Sequence, residues 1–205
     1  MKKLIISLAL AAAAAFSANA QIRVEVLGNL ADLTFTASDE KATSSSNFGF
    51  GVRGFYNLYS FSDVNLEAGI GYMSDSSSIN YGGGVSSTSK LGYIQIPVRV
   101  SYDWNIGSFT ITPAFGLYAG YAITGKSITN AGSVSGSVSP FNDSSEVGHG
   151  TMKRFDFGTD DELIFTYADR YSIAIGIQKG FVNINAADGT KCTRSTLYFG
   201  LGYAF

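Results

Sequence analysis

The sequence predicts an all-β fold, an eight-stranded antiparallel up-and-down transmembrane β-barrel. Three observations point there. Apolar and polar residues alternate with period two in segment after segment, and no stretch beyond residue 21 holds a helical period. The connections between these segments are short and long by turns, the rhythm of a barrel with tight turns at one rim and large loops at the other. The composition is poor in charge, at 15%, yet rich in glycine (24), Phe (15) and Tyr (12). No apolar run reaches the ~18 residues that a membrane-spanning helix requires.

Residues 1–20 read as a cleaved signal peptide. Lys2 and Lys3 form a positive start, Leu4 to Phe16 an apolar stretch, and Ala18-Asn19-Ala20 a small-residue cleavage site. Gln21, not a cysteine, follows, which disfavours a lipoprotein. Residues 21–205 then form the barrel domain, with twelve basic and sixteen acidic residues. That balance, without clustered positive charge, argues against a nucleic-acid partner. One Cys and one His supply neither a disulfide framework nor a zinc site, and no cofactor or metal is expected.

The strands follow in order. The first lies near 22–35; its apolar set changes from Val24 and Val26 to Leu33 and Phe35, which predicts a bulge near Asn29. The second, 47–58, sets Phe48, Phe50 and Val52 against Gly49, Gly51 and Arg53. The third, 62–73, sets Val64, Leu66, Ala68, Ile70 and Tyr72 against Asn65, Glu67, Gly69 and Gly71. The fourth, 91–104, carries Ile94, Ile96, Val98, Val100, Tyr102 and Trp104 on one face and Gln95 and Arg99 on the other. The fifth, 108–123, repeats the pattern through Phe109, Phe115 and Tyr121. A sixth lies near 154–167, a seventh at 170–180, and the last runs through Leu197, Phe199, Leu201, Tyr203 and Phe205. Short turns are placed near Tyr59-Ser60, Ile106-Gly107 and Ala168-Asp169, and long loops at 37–46, 74–90, 125–153 and 183–194. Pro97 and Pro113 fall inside strands of a closed sheet, where bulges are expected to absorb them.

Bulky apolar residues occupy one face, with aromatics near strand ends (Tyr56, Tyr102, Trp104, Phe109, Tyr167, Tyr171 and Phe205). Glycine, serine, threonine and a few charges occupy the other. A lipid-facing band around a narrow polar lumen fits this division. The alternative, an exported soluble barrel, would place its large apolar residues inside.

The sequence also resembles the porin-like outer membrane protein beta-barrel domain family of Gram-negative bacteria. The resemblance is carried by Tyr93-Ile94-Gln95-Ile96-Pro97, Gly116-Leu117-Tyr118-Ala119-Gly120-Tyr121 and Phe155-Asp156-Phe157-Gly158. It continues through Gly180-Phe181-Val182-Asn183-Ile184 to Gly200-Leu201-Gly202-Tyr203-Ala204-Phe205. It implies a barrel embedded in outer-membrane lipids, with Phe205 as the terminal aromatic that the barrel-assembly machinery reads. The departure is Asp160-Asp161-Glu162, where relatives carry glycines and apolar residues. If Leu163, Phe165 and Tyr167 face lipid, so does Asp161, and a bulge there or a place near the outer interface is expected.

With eight strands the interior is just wide enough for side chains to fill it. The expected function is therefore an integral outer-membrane protein, structural or surface-exposed and monomeric, with at most weak small-solute permeability. The candidate site is a lumenal charge layer of Arg53, Glu67, Arg99 and Glu162. A three-residue turn at Tyr59-Ser60-Phe61 would set Arg53 directly across from Glu67. All four charges would then stand roughly 13 Å above the periplasmic ends, at about 3.3 Å per residue and a tilt near 40°. The plainer alternative is four separately hydrated charges.

A second functional reading is a binding or adhesion protein acting through the serine- and glycine-rich loops 74–89 and 133–145, whose extracellular ligand the sequence does not name. A third is a lipid-modifying enzyme built on His149 with Asp143, Glu146 and nearby serines, but no nucleophile spacing supports it, and the chain is read as non-enzymatic. Asp143 and Glu146 lack a calcium-loop pattern. Gly82-Gly83-Gly84 lacks the lysine and helix of a phosphate loop. Cys192 reads as a passive thiol. Export predicts cleavage between Ala20 and Gln21: mass spectrometry of the membrane-extracted protein should start at Gln21, and a full-length, carbonate-extractable chain would refute it.

Overall fold

The computed structural model describes residues 22–38, 40–132, 134–141, 152–186 and 189–205; the expected signal peptide lies outside them. Their strands are β1 (Ile22–Ala37), β2 (Glu40–Thr43), β3 (Ser45–Phe61), β4 (Val64–Gly82), β5 (Val85–Tyr102) and β6 (Trp104–Ile106). After them come β7 (Phe109–Ala131), β8 (Val134–Val138), β9 (Phe155–Tyr167), β10 (Tyr171–Gly180) and β11 (Lys191–Ala204). Eight form the barrel wall, in the order β1-β3-β4-β5-β7-β9-β10-β11, each antiparallel to the last. The ring closes where β1 pairs with β11, from Arg23 opposite Ala204 to Thr36 opposite Lys191. Closure satisfies the backbone groups that an open edge would leave bare in lipid. β6 prolongs β5 along β7, β2 folds back on β1, and β8 folds back on β7.

Alternation divides the faces as the sequence predicts. Leu66, Val98, Phe115 and Ile175 point outward, with Phe115 66% exposed. Arg53, Gln95, Arg99, Thr112 and Glu162 point inward and are buried. The aromatics expected near strand ends are all exposed on the outer face. At the rim with short turns, Phe109 and Tyr167 stand 5.0 Å apart, and Tyr171 and Tyr203 stand 5.5 Å apart, by ring centroid. The large apolar residues face out, which excludes the soluble barrel.

Several local expectations are corrected. β1 keeps one register with both neighbours, so no bulge occurs near Asn29. Its apolar residues change faces without one: Val26 points outward, whereas Leu33 points inward with Leu27 and packs on Ile184 and Cys192. The prolines produce no bulges either. Pro97 stays in register with Tyr118, and Pro113 with Leu163. On their other sides the ladder lapses and resumes unshifted, from Ala68–Val98 to Gly71–Gln95, and from Ser101–Ala114 to Trp104–Ile111. A ring nitrogen without a hydrogen interrupts a ladder without needing an extra residue.

The β3–β4 turn is at Ser62-Asp63, later than expected. Tyr59–Phe61 continue the strand after a bulge at Leu58, where the Asn57 side chain accepts from Tyr59 N (3.1 Å) and donates to Ser60 Oγ (2.7 Å). This shift sets Arg53 opposite Gly71 and Asn57 opposite Glu67. Arg53 and Glu67 are therefore not directly opposed. At the other rim, 74–90 is a hairpin rather than a loop. It turns through Gly82, Gly83 and Gly84, all at positive φ (60° to 81°), a conformation that glycine alone adopts freely. β7 likewise climbs to Ala131 before β8 returns.

The acidic triplet has no bulge. β9 pairs regularly with β7 and β10, putting Asp161 outward between Phe115 and Ile177. At about 3.3 Å per residue and a tilt near 40°, it stands roughly 15 Å above Tyr167, far below the outer interface. Its neighbours explain it: Asp160 and Glu162 both point inward to arginines, and strict alternation leaves Asp161 no other face.

The face assignment has a stability consequence. Arginine at Leu66, Val98, Phe115 or Ile175 should cost roughly 2–4 kcal/mol at mid-membrane depth and less toward the rim, while Thr112→Ser, which keeps the hydroxyl bonded to Asp103, should be nearly silent. Urea titrations of folding into lipid vesicles measure both; equal tolerance of the two sets would contradict the assignment.

Candidate functional site

The inward face of the wall carries two linked layers of buried charge. The lower one draws Arg23 and Glu25 from β1, Arg53 from β3, Glu67 from β4, Arg99 from β5, and Asp160 and Glu162 from β9. Glu162 spans its centre, accepting from Arg53 Nη2 through one oxygen and from Arg99 Nη1 through the other. Arg53 Nε donates to Glu25 (2.6 Å), and its Nη1 lies 3.4 Å from Asp160. Arg99 Nε donates to Glu67 (2.8 Å), its direct cross-strand partner. Arg23 closes the layer below, 2.9 Å from Glu25 and 3.4 Å from Glu67. The Phe55 ring lies 3.5 Å from the Arg99 guanidinium carbon, centroid to carbon, and Tyr198 lies 4.5 Å from that of Arg53. Such stacking adds to the pairing of weakly hydrated guanidinium groups.

Glycine makes room for the arginines. A Cβ on Gly71 would come within 2.5 Å of Arg53 Cβ, and one on Gly116 within 2.6 Å of Arg99 Cβ. Side chains at those neighbouring lumenal positions would push the two guanidinium groups off their carboxylates.

The upper layer centres on Arg194 of β11. Its Nε donates to Asp75 (2.6 Å), its Nη2 to Gln178 (2.6 Å), and its Nη1 lies 3.3 Å from Asp156, which also accepts from Tyr118 (2.6 Å). Gln95 and Gln178 exchange two amide hydrogen bonds of 3.1 Å. Asp160 joins the layers, accepting from Gln178 (3.2 Å) and Tyr198 (2.8 Å). Above lie the apolar side chains of Leu33, Ile184 and Cys192, and of Leu91, Tyr93 and Ala122, with Met152 packed against both sets. Below the lower layer a cavity of about 260 Å³, lined by Asn57, Asn65, Asp103 and Ser172 among others, ends at Arg23 and Glu67.

Of the four residues anticipated from the sequence, Glu162 meets Arg53 and Arg99, and Arg99 meets Glu67, while Arg53 and Glu67 meet only through others. Arg23, Glu25 and Asp160 were not anticipated, although each falls on the polar face of its strand. The upper layer was missed for a different reason: Asp75 and Arg194 fall in stretches read as loops. Across both layers four arginines meet six carboxylates. His149, Asp143 and Glu146 lie outside the described residues, and Cys192 is buried. Among the described residues no cluster of His, Cys, Asp and Glu is arranged to hold a metal ion.

Comparison with solved structures places this architecture among small outer-membrane barrels. Neisserial surface protein A superposes with a TM-score of 0.51 at 16% identity, over 92% of this chain and all of that one (100%). OprG from Pseudomonas aeruginosa gives 0.45 at 13% identity, over 92% and 96% of the two chains. The attachment invasion locus protein Ail of Yersinia pestis gives 0.45 at 11%, over 89% and 98%. Comparison with curated protein sequences finds no match. Residues 4–205 match the family model described as the outer membrane protein beta-barrel domain. With that match spanning nearly the whole sequence, and with a closed eight-stranded wall that is apolar outside and charged within, the chain is a bacterial outer-membrane β-barrel protein and belongs to the outer membrane protein beta-barrel domain family.

Proposed function

We propose that this protein is a monomeric structural and surface-exposed component of the outer membrane, exported by residues 1–20 and inserted by the barrel-assembly machinery, whose lumen passes at most small solutes, and those weakly. The observation that carries this reading is the continuous cross-section of paired charge. Arginines from β1, β3, β5 and β11 meet carboxylates from β1, β4 and β9, so no open column of water runs between the rims. Buried charges held in bridged, stacked geometry resist separation, because each partner left alone would be a desolvated ion. The same pairing speaks against catalysis, since these groups are engaged with one another rather than presented to a substrate.

A second reading is surface binding, and one feature favours it. The β4–β5 and β7–β8 hairpins carry a serine- and threonine-rich sheet past the last lipid-facing apolar residues, a rigid platform at the exposed rim.

Conductance across a planar bilayer tests the closed lumen. The wild-type barrel should show no steady porin-like current. Glu162→Ala, which strands two arginines, should lower stability by about 3–5 kcal/mol in urea titration and raise the frequency of openings. Glu162→Gln should fall between them. A large steady wild-type current, unaltered by Glu162→Ala, would overturn the closed-lumen reading.

A further inference from the structure

The outward faces of β5 and β7 are uncharged from the lower rim up to Ile94 and Ile123. The first charges above that band are Lys90 and Lys126, and the register sets them directly opposite each other. Leu91 is buried against Tyr93 and Ala122, so Lys90 faces away from the lumen. Both lysines are exposed, and neither has an acidic partner among the described residues. Lys126 owes its direction to a bulge. Tyr93 opposes Ala122 and Gly92 opposes Thr124, so the extra residue, Ile123, shifts the outward face of β7 from odd to even positions. Without it Lys126 would point inward.

A recess of about 150 Å³ lies at the lysines, bordered by Ser74, Gly92, Thr124 and Gly125. Its floor is open because Gly92 has no side chain; a Cβ there would lie 2.3 Å from Thr124 Oγ1 and 2.5 Å from the Tyr72 hydroxyl. Lys90, Lys126 and Thr124 line this concavity, and the Tyr72 hydroxyl lies beside Gly92 at its floor. Directly opposed like charges destabilise a ladder unless something offsets them, and an anion seated between them does so. The height selects its source. Lys90 stands roughly 10 Å above Ile94, at about 3.3 Å per residue and a tilt near 40°, which is the headgroup layer of the outer leaflet.

We propose that Lys90, Lys126, Thr124 and Tyr72 form an annular binding site for the phosphate of a phosphorylated glycolipid in the outer leaflet. The site faces the membrane, not the lumen, so it stands whether or not the barrel conducts.

The test is native mass spectrometry of the full barrel in detergent, titrated with a bisphosphorylated lipid A, with the same lipid stripped of phosphate, and with inorganic phosphate as competitor. Wild type should retain the phosphorylated lipid. Lys90→Gln/Lys126→Gln should weaken retention about twenty-fold, a factor of four to five per lysine at an anionic surface, and Lys90→Arg/Lys126→Arg should restore it. The stripped lipid should bind all three forms equally and weakly. Retention unchanged by the glutamine pair, or equal retention of both lipids by wild type, overturns the site. Displacement by equimolar inorganic phosphate overturns the lipid as its ligand. Resistance of each variant to unfolding in cold SDS verifies the barrel.

Discussion

Glu162 holds the interior together. Each of its oxygens takes one arginine, and those arginines reach β1 through Glu25 and β4 through Glu67. A carboxylate and two guanidinium groups inside a lipid-enclosed tube are tolerable only as a set, because the desolvation of each ion is offset by its partners. Much else follows from this arrangement. Gly71 and Gly116 are small because Arg53 and Arg99 need the space beside them. Asp161 is turned toward lipid because its neighbours on both sides are required within. The cavity that opens from the lower rim ends where the pairing begins.

The layers also divide the labour of closing the tube. Near the lower rim the wall needs ions to fill its width, because long arginine side chains reach across from opposite sides. Farther up, Tyr93 and Tyr118 occupy more of the section, and one arginine suffices. At the top Leu33, Ile184 and Cys192 seal it without charge. Cys192 is buried in this seal.

Fold class and face assignment were legible in the sequence because period two is a geometric necessity of a pleated strand, and eight such segments with alternating connections leave little choice of architecture. Leu66, Val98, Phe115 and Ile175 could be assigned outward on parity alone. What resisted reading was register. The later turn at Ser62-Asp63, with a bulge at Leu58, moved the partner of Arg53 from Glu67 to Gly71, and nothing in Tyr59-Ser60 distinguishes a turn from two more strand residues. The rim was misread because Ser and Thr serve equally in loops and in polar hairpins, so Asp75 and Arg194 were set outside the wall that they complete. Leu33 misled for the opposite reason, an apolar residue on a lumenal face. The prolines misled because a lapse in hydrogen bonding and an inserted residue leave the same trace in sequence.

The distribution of the charged layers over the wall bears on how the barrel is assembled. Their members come from β1, β3, β4, β5, β9 and β11, strands that span almost the whole chain. Two pairs join neighbouring strands, Arg53 to Glu25 across β1–β3 and Arg99 to Glu67 across β4–β5, but no hairpin contains a complete set. The bridges that cross the lumen, from Glu162 of β9 to Arg53 and Arg99 and from Arg194 of β11 to Asp75, become available only as the circumference is fixed. The final seam and the interior therefore form in one cooperative step, and the water inside the unfinished tube leaves as the wall closes.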